Sequence, residues 1–199
     1  MRRLVIATCT VLALTACQDQ QSVSIPQAAA MTDDALGHYC QMNLADHEGP
    51  KAQIHLVRFE QPIWFSQVRD AIAFTRLPEE TEEWSVVYVS DMGEAPNWAE
   101  PGIDNWIDAK AAWFVIGSGL RGGMGAPEAI PFGDERKALA FAGRNGGDVV
   151  RLVDIPDDYV LAPVDISPVI EPERTGDQDA VGLRDQDVGD IGHGGHVIQ

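Results

Sequence analysis

Apolar and polar positions alternate in short blocks between residues 34 and 162 and lose that order on either side. "AQIHLV" (52–57) alternates with the period of a strand. Pro62 suits the first turn of a helix, and Trp64, Val68, Ala71 and Ile72 follow at the spacing of one helical face. "WSVVYVS" (84–90) is dense in β-formers. A similar order then returns. "AAWFVIGS" (111–118) reads as a buried strand, "EAIPF" (128–132) as a short one, and Asp134 as the cap of a helix reaching about Gly143. Asn145, Gly146 and Gly147 end that helix, and "DVVRLVDI" (148–155) is the closing strand. "GPKAQIHL" (49–56) and "GAPEAIPF" (125–132) echo each other in outline, with Met42 upstream of one and Met124 upstream of the other. The predicted class is α+β, with two ββαβ-like units in tandem at 34–90 and 103–162. A turn-rich linker, 91–102, joins them.

The two ends follow different rules. Arg2 and Arg3 precede the apolar run "LVIATCTVLAL", and small residues follow it up to Cys17. That layout is a secretory signal over residues 1–16, too short to span a bilayer, which takes about 20 apolar residues. "Leu14-Thr15-Ala16-Cys17" resembles the bacterial lipobox, so Cys17 is expected to carry lipid and to begin the mature chain. Residues 17–33 are polar and small and read as a tether, of roughly 20–25 Å reach. Residues 163–199 hold no aromatic residue and eight acidic residues against two arginines, a composition that predicts a disordered tail.

Charge narrows the partners. Lys and Arg number 14 against 31 Asp and Glu, a formal charge of −17, which becomes −19 once the signal takes Arg2 and Arg3 away. Binding nucleic acid through its phosphates needs a basic surface, so that class is excluded. Removal of the signal also takes Cys9. With Cys17 lipidated, Cys40 is left without a partner for a disulfide in an oxidising compartment.

Cys40 has soft company. If residues 38–42 are extended, His38, Cys40 and Met42 share one face. Met124 stands in the glycine-rich "GSGLRGGMGAPE" (117–128), where no apolar period gives it a core to join. Thiolate and thioether select Cu(I) over harder ions. Core packing of Cys40 and Met42 is the competing reading, and a Cys/His nucleophile pair with His38, His47 or His55 is a further one. Asp46, His47 and Glu48 offer harder ligands, but as a run in a turn they suit capping or solvation. His193 and His196 in the tail form "HGGH", suited to loose metal recruitment or to a solvated end. The chain has no C-x-x-C and no C-x-x-C-H, so thioredoxin-like, tetrathiolate and haem-attachment motifs are missing.

"YCQMNLADHEGPKAQIHL" (39–56), "WFVIGSGLRGGMGAPEAIPF" (113–132) and "DVVRLVDIP" (148–156) resemble the NosL family, over about residues 36–162 and the lipobox. The resemblance implies a periplasmic, membrane-anchored lipoprotein that binds Cu(I) and delivers it for the copper sites of nitrous oxide reductase. It implies docking on an ABC-type membrane complex, and a fold similar to part of organomercurial lyases. Cys40, Met42 and Met124 are the ligands it carries over, with His38 beside them. Gln41 stands where that family often has glycine.

Two rivals belong to other classes. One is a lyase using Cys40 as nucleophile, a chemistry for which a second cysteine is expected and which the mature chain lacks. The other is a structural lipoprotein bridging membrane components. Because the tail lies outside the resemblance, truncation after Ala162 is expected to leave melting temperature and Cu(I) affinity nearly unchanged. Calorimetry and chelator competition on the truncated protein check this.

Overall fold

The computed structural model describes residues 25–164. Signal, lipobox, the start of the tether and almost all of the tail, with "HGGH", lie outside that range. The first unit runs β1 (Ala52–Leu56), β2 (Ile63–Phe65), α1 (Val68–Phe74) and β3 (Trp84–Ser90). After β4 (Trp106–Asp108) the second runs β5 (Trp113–Ile116), β6 (Ile130–Phe132), α2 (Glu135–Asn145) and β7 (Asp148–Arg151), and a short α3 (Asp157–Leu161) follows. The order ββαβ therefore occurs twice. The first sheet is ordered β2-β1-β3-β4 and the second β6-β5-β7, with every pairing antiparallel.

Three expectations change. Pro62 and Trp64 belong to the approach and body of β2, and the helix begins only at Val68. The apolar positions from Val68 onward do form its buried face, with Val68, Ala71 and Ile72 all inside. Second, residues 106–108, placed inside the second unit with no strand assigned to them, form β4, which pairs with β3 and completes the first sheet. Third, the last strand stops at Arg151, where Leu152–Asp154 turns into a short 3-10 helix. Asp134 caps α2 as expected, accepting from the amides of Arg136 and Lys137.

The two sheets share one core. Ile54, Phe65, Ile72 and Val89 of the first unit cluster with Phe114, Ile116 and Ala129 of the second. Strand β5 is buried on both faces, because Val115 turns the other way onto Ile130, Phe132 and Ala138. Neither unit could fold alone without exposing that shared surface, and each large side chain so exposed costs about 1.5–3 kcal/mol.

An unexpected strap explains the burial of β1. Gln53 and His55 alternate with the core-facing residues and by pattern should meet water, yet both are buried. Residues 26–31 of the expected tether lie along Gln53, whose Oε1 also meets His55 Nε2 at 3.0 Å. Gln53 accepts the Ala29 amide at 2.8 Å and donates to the Ala29 carbonyl at 2.9 Å, and the Tyr88 hydroxyl donates to the Pro26 carbonyl at 2.8 Å. The Met31 amide donates to the Ile103 carbonyl at 2.7 Å. Among the described residues no helix is long and apolar enough to cross a membrane.

Candidate metal centre

Residues 38–42 are a turn, not a strand. The Gln41 amide donates to the Gly37 carbonyl, and the Gln41 side chain donates to the His38 carbonyl at 2.6 Å. Gln41 itself has φ of 56°, a left-handed value that ends any alternation. The turn is pinned to the edge of the first sheet by the His38 amide on the Trp64 carbonyl at 2.6 Å.

The expected common face of His38, Cys40 and Met42 is therefore not formed. His38 turns into aromatic packing, its ring centroid 5.6 Å from Phe65 and 5.5 Å from Phe74. Cys40 turns the other way, half-buried, its Sγ 3.6 Å from Ser66 Oγ and 4.0 Å from His47 Nε2. The thiol lies so close to Gly37 that a Cβ there would come within 2.5 Å of it and push the thiol from its place.

His47 is the residue that sequence reasoning set aside. Its Nδ1 lies 3.0 Å from the Gly123 carbonyl. A carbonyl only accepts, so Nδ1 carries the hydrogen and the Nε2 lone pair is left facing the thiol. This bond reaches from the first unit to the residue next to Met124. Backbone packing there is close: a Cβ on Gly123 would stand 2.7 Å from His47 Cβ and 2.9 Å from the Ser66 carbonyl oxygen. The glycine-rich loop is thus seated on the Cys40 side of the first unit. Met42 and Met124 are 42% and 40% exposed, open to solvent at the edges of this junction. Among the described residues no group of three or more His, Cys, Asp and Glu side chains is arranged to hold an ion, so the harder Asp46-His47-Glu48 set does not assemble.

Two buried ionisable side chains brace the junction. Lys51 is buried, and its Nζ donates to the carbonyls of His47, Glu48 and Gly49 at 2.7, 3.1 and 2.8 Å. Three oxygens folded around one ammonium fix the loop that carries His47. Burial pushes that ammonium down to about 8, and Glu128 and Glu48 oppose the shift. Glu128, from the second unit, is buried at the start of α1. It accepts from the amides of Val68 and Arg69 at 3.2 and 2.8 Å and from its neighbour Ala129 at 2.8 Å. Desolvation pushes its carboxyl up to about 8, against the pull of those amides.

Fold and site define a class of protein first: a two-sheet α+β domain of tandem units, with a lone thiol, an imidazole and thioether-bearing loops at their junction. The crystal structure of the copper chaperone NosL from Shewanella denitrificans superposes with a TM-score of 0.61 at 34% identity, covering 65% of this chain and 95% of that one. The Copper-binding lipoprotein NosL of Achromobacter cycloclastes is 50% identical over 182 residues, 90% of this chain and 92% of the relative. The protein of the same description from Stutzerimonas stutzeri is 32% identical over 151 residues, 75% and 77% of the two chains. The family model described as NosL matches residues 28–160. The chain belongs to the NosL family.

Proposed function

We propose that this protein is a lipid-anchored, periplasmic Cu(I) chaperone that delivers copper for assembly of the copper sites of nitrous oxide reductase. Its relatives named as copper-binding lipoproteins and as a copper chaperone support the binding role and the Cys17 anchor. The docking partner in this reading is an ABC-type membrane complex, or the apo-reductase itself, and the role is transfer rather than catalysis.

One observation carries the reading: Cys40 Sγ and His47 Nε2 stand 4.0 Å apart, with the imidazole lone pair aimed at the sulfur. Metal–sulfur and metal–imidazole bonds of zinc-like length, about 2.3 and 2.0–2.1 Å, would separate two donors on one ion by about 4.3 Å when straight. The observed gap of 4.0 Å fits a bent pair, with a sulfur–metal–nitrogen angle of about 135° on those bond lengths. Cys40 supplies the anionic soft ligand, His47 the nitrogen, and Met42 and Met124 thioethers from the two units. Few ligands and open edges suit an ion that must leave by ligand exchange.

Anaerobic Cu(I) titration against a competing chelator tests the reading, and failure to compete at all would put the structural-lipoprotein alternative in front. Within that assay Met42→Leu and Met124→Leu, which keep volume and lose sulfur, are each expected to weaken binding about tenfold, or about 1.4 kcal/mol. His38→Ala is expected to leave affinity nearly unchanged. It should instead cost about 1–2 kcal/mol of stability in denaturant titration, because its ring packs between Phe65 and Phe74.

A further inference from the structure

Gln67 precedes the first turn of α1, where a side chain ordinarily accepts the free amides of the helix. It makes no such bond. The amides of Val68 and Arg69 go to Glu128, which reaches across from the second unit. The Gln67 carboxamide, buried, is spent elsewhere. Its Oε1 accepts the Met124 amide at 3.1 Å, and its Nε2 donates to Asp70 Oδ2 at 2.8 Å. A backbone N–H needs an acceptor and a carboxylate needs a donor, so the two partners together fix which end of the carboxamide faces which. Burial pushes the Asp70 carboxyl up, and the Gln67 bond works against that shift.

The neighbouring residue does the matching task. Ser66 Oγ lies 3.6 Å from Cys40 Sγ. Two consecutive residues at the entrance to α1 therefore hold the two sulfur-bearing segments, Ser66 the turn of Cys40 and Gln67 the loop of Met124. We infer that Gln67 is a positioning residue of the copper site, setting the distance of Met124 from Cys40 through the Met124 amide. Glu128 releases it for this by taking over the helix cap. The bond holds the backbone of a glycine-rich loop and leaves the flexible thioether side chain free to engage or release an ion. This inference rests on the reading of Met124 as a copper ligand.

A double-mutant cycle on the full chain tests it, with Cu(I) affinity read by chelator competition and the sulfur count by X-ray absorption. Gln67→Leu keeps the volume and removes both bonds. It is expected to weaken Cu(I) binding by up to about tenfold and no further, the loss given for Met124→Leu, because it acts only through Met124. It should also remove one sulfur scatterer, as Met124→Leu should. The double variant should then bind no more weakly than Met124→Leu alone. Wild-type affinity in Gln67→Leu, or a loss that adds in full to that of Met124→Leu, overturns the inference, since a general structural defect would add. A Met124→Leu protein with unchanged affinity and unchanged sulfur count instead overturns the ligand reading beneath it. Should Gln67→Leu not fold, Asp70→Ala takes its place by freeing the donor end of the carboxamide. It is expected to give a smaller loss that is likewise masked by Met124→Leu, and additivity there overturns the inference equally.

Discussion

Cys40→Ser is expected to lower Cu(I) affinity by several orders of magnitude while the protein stays folded. The substitution removes the one anionic soft ligand and leaves an imidazole and thioethers, which as neutral donors hold Cu(I) far less tightly. Serine is nearly isosteric. The contact given up is a long one, 4.0 Å from sulfur to His47 Nε2, so little holds the fold through it. The stability change should stay within about 0.5 kcal/mol. Chelator competition and thermal melting on the same sample check both halves. A Cys40→Ser protein that binds Cu(I) normally, or an absorption spectrum of the wild-type copper form with no sulfur scatterers, would sink the assignment.

Glu128→Ala is expected to destabilise the domain by roughly 2–4 kcal/mol, since two buried amides of α1 lose their acceptor. Urea unfolding should show it, with the two units still unfolding together because their core is shared. Glu128→Gln removes the titrating group, at a pH-independent loss because its NH2 cannot accept an amide as the second oxygen does. The carboxyl is raised in the folded protein, so its contribution is fully present below the ordinary carboxylate range, near pH 4.5. That contribution is lost as pH climbs toward about 8. His55, held down by burial, slopes the other way below its ordinary value, and Lys51 acts only in the window from about 8 to 10.5. The difference between wild type and Glu128→Gln across pH 4.5–8 therefore reports Glu128. A wild-type protein that gains stability over that range relative to Glu128→Gln would contradict the raised carboxyl.

The repeat was legible because its signals are local. Asp134, the β-rich 84–90 run and the glycine stop after Asn145 act over a few residues, and each lands where the pattern puts it. The errors came from contacts that no local pattern carries. Gln53 and His55 look like a solvent face until the strap bonds Gln53 and Tyr88, the two side chains that His55 meets. Cys40, Met42 and Met124 stand out by element type and surroundings alone. The partner of Cys40 does not: His47 sits in a polar turn, and its orientation is decided by Gly123, 76 residues further along the chain. Likewise the common face of 38–42 failed on one left-handed residue, Gln41, in a position where a glycine would have signalled the turn.

The strap has a mechanical consequence. On the proposed Cys17 anchor, load would enter the described chain from its N-terminal side, and the first described bonds to feel it would be those at Pro26, Ala29 and Met31. They come before Ala35 along the chain, so such load would peel the strap off Tyr88 and Gln53 before it reached Ala35 and the turn that holds Cys40. The strap acts as a strain relief. Load on the proposed anchor would be spent on the strap's own hydrogen bonds, and the geometry of the turn that holds Cys40 would be spared.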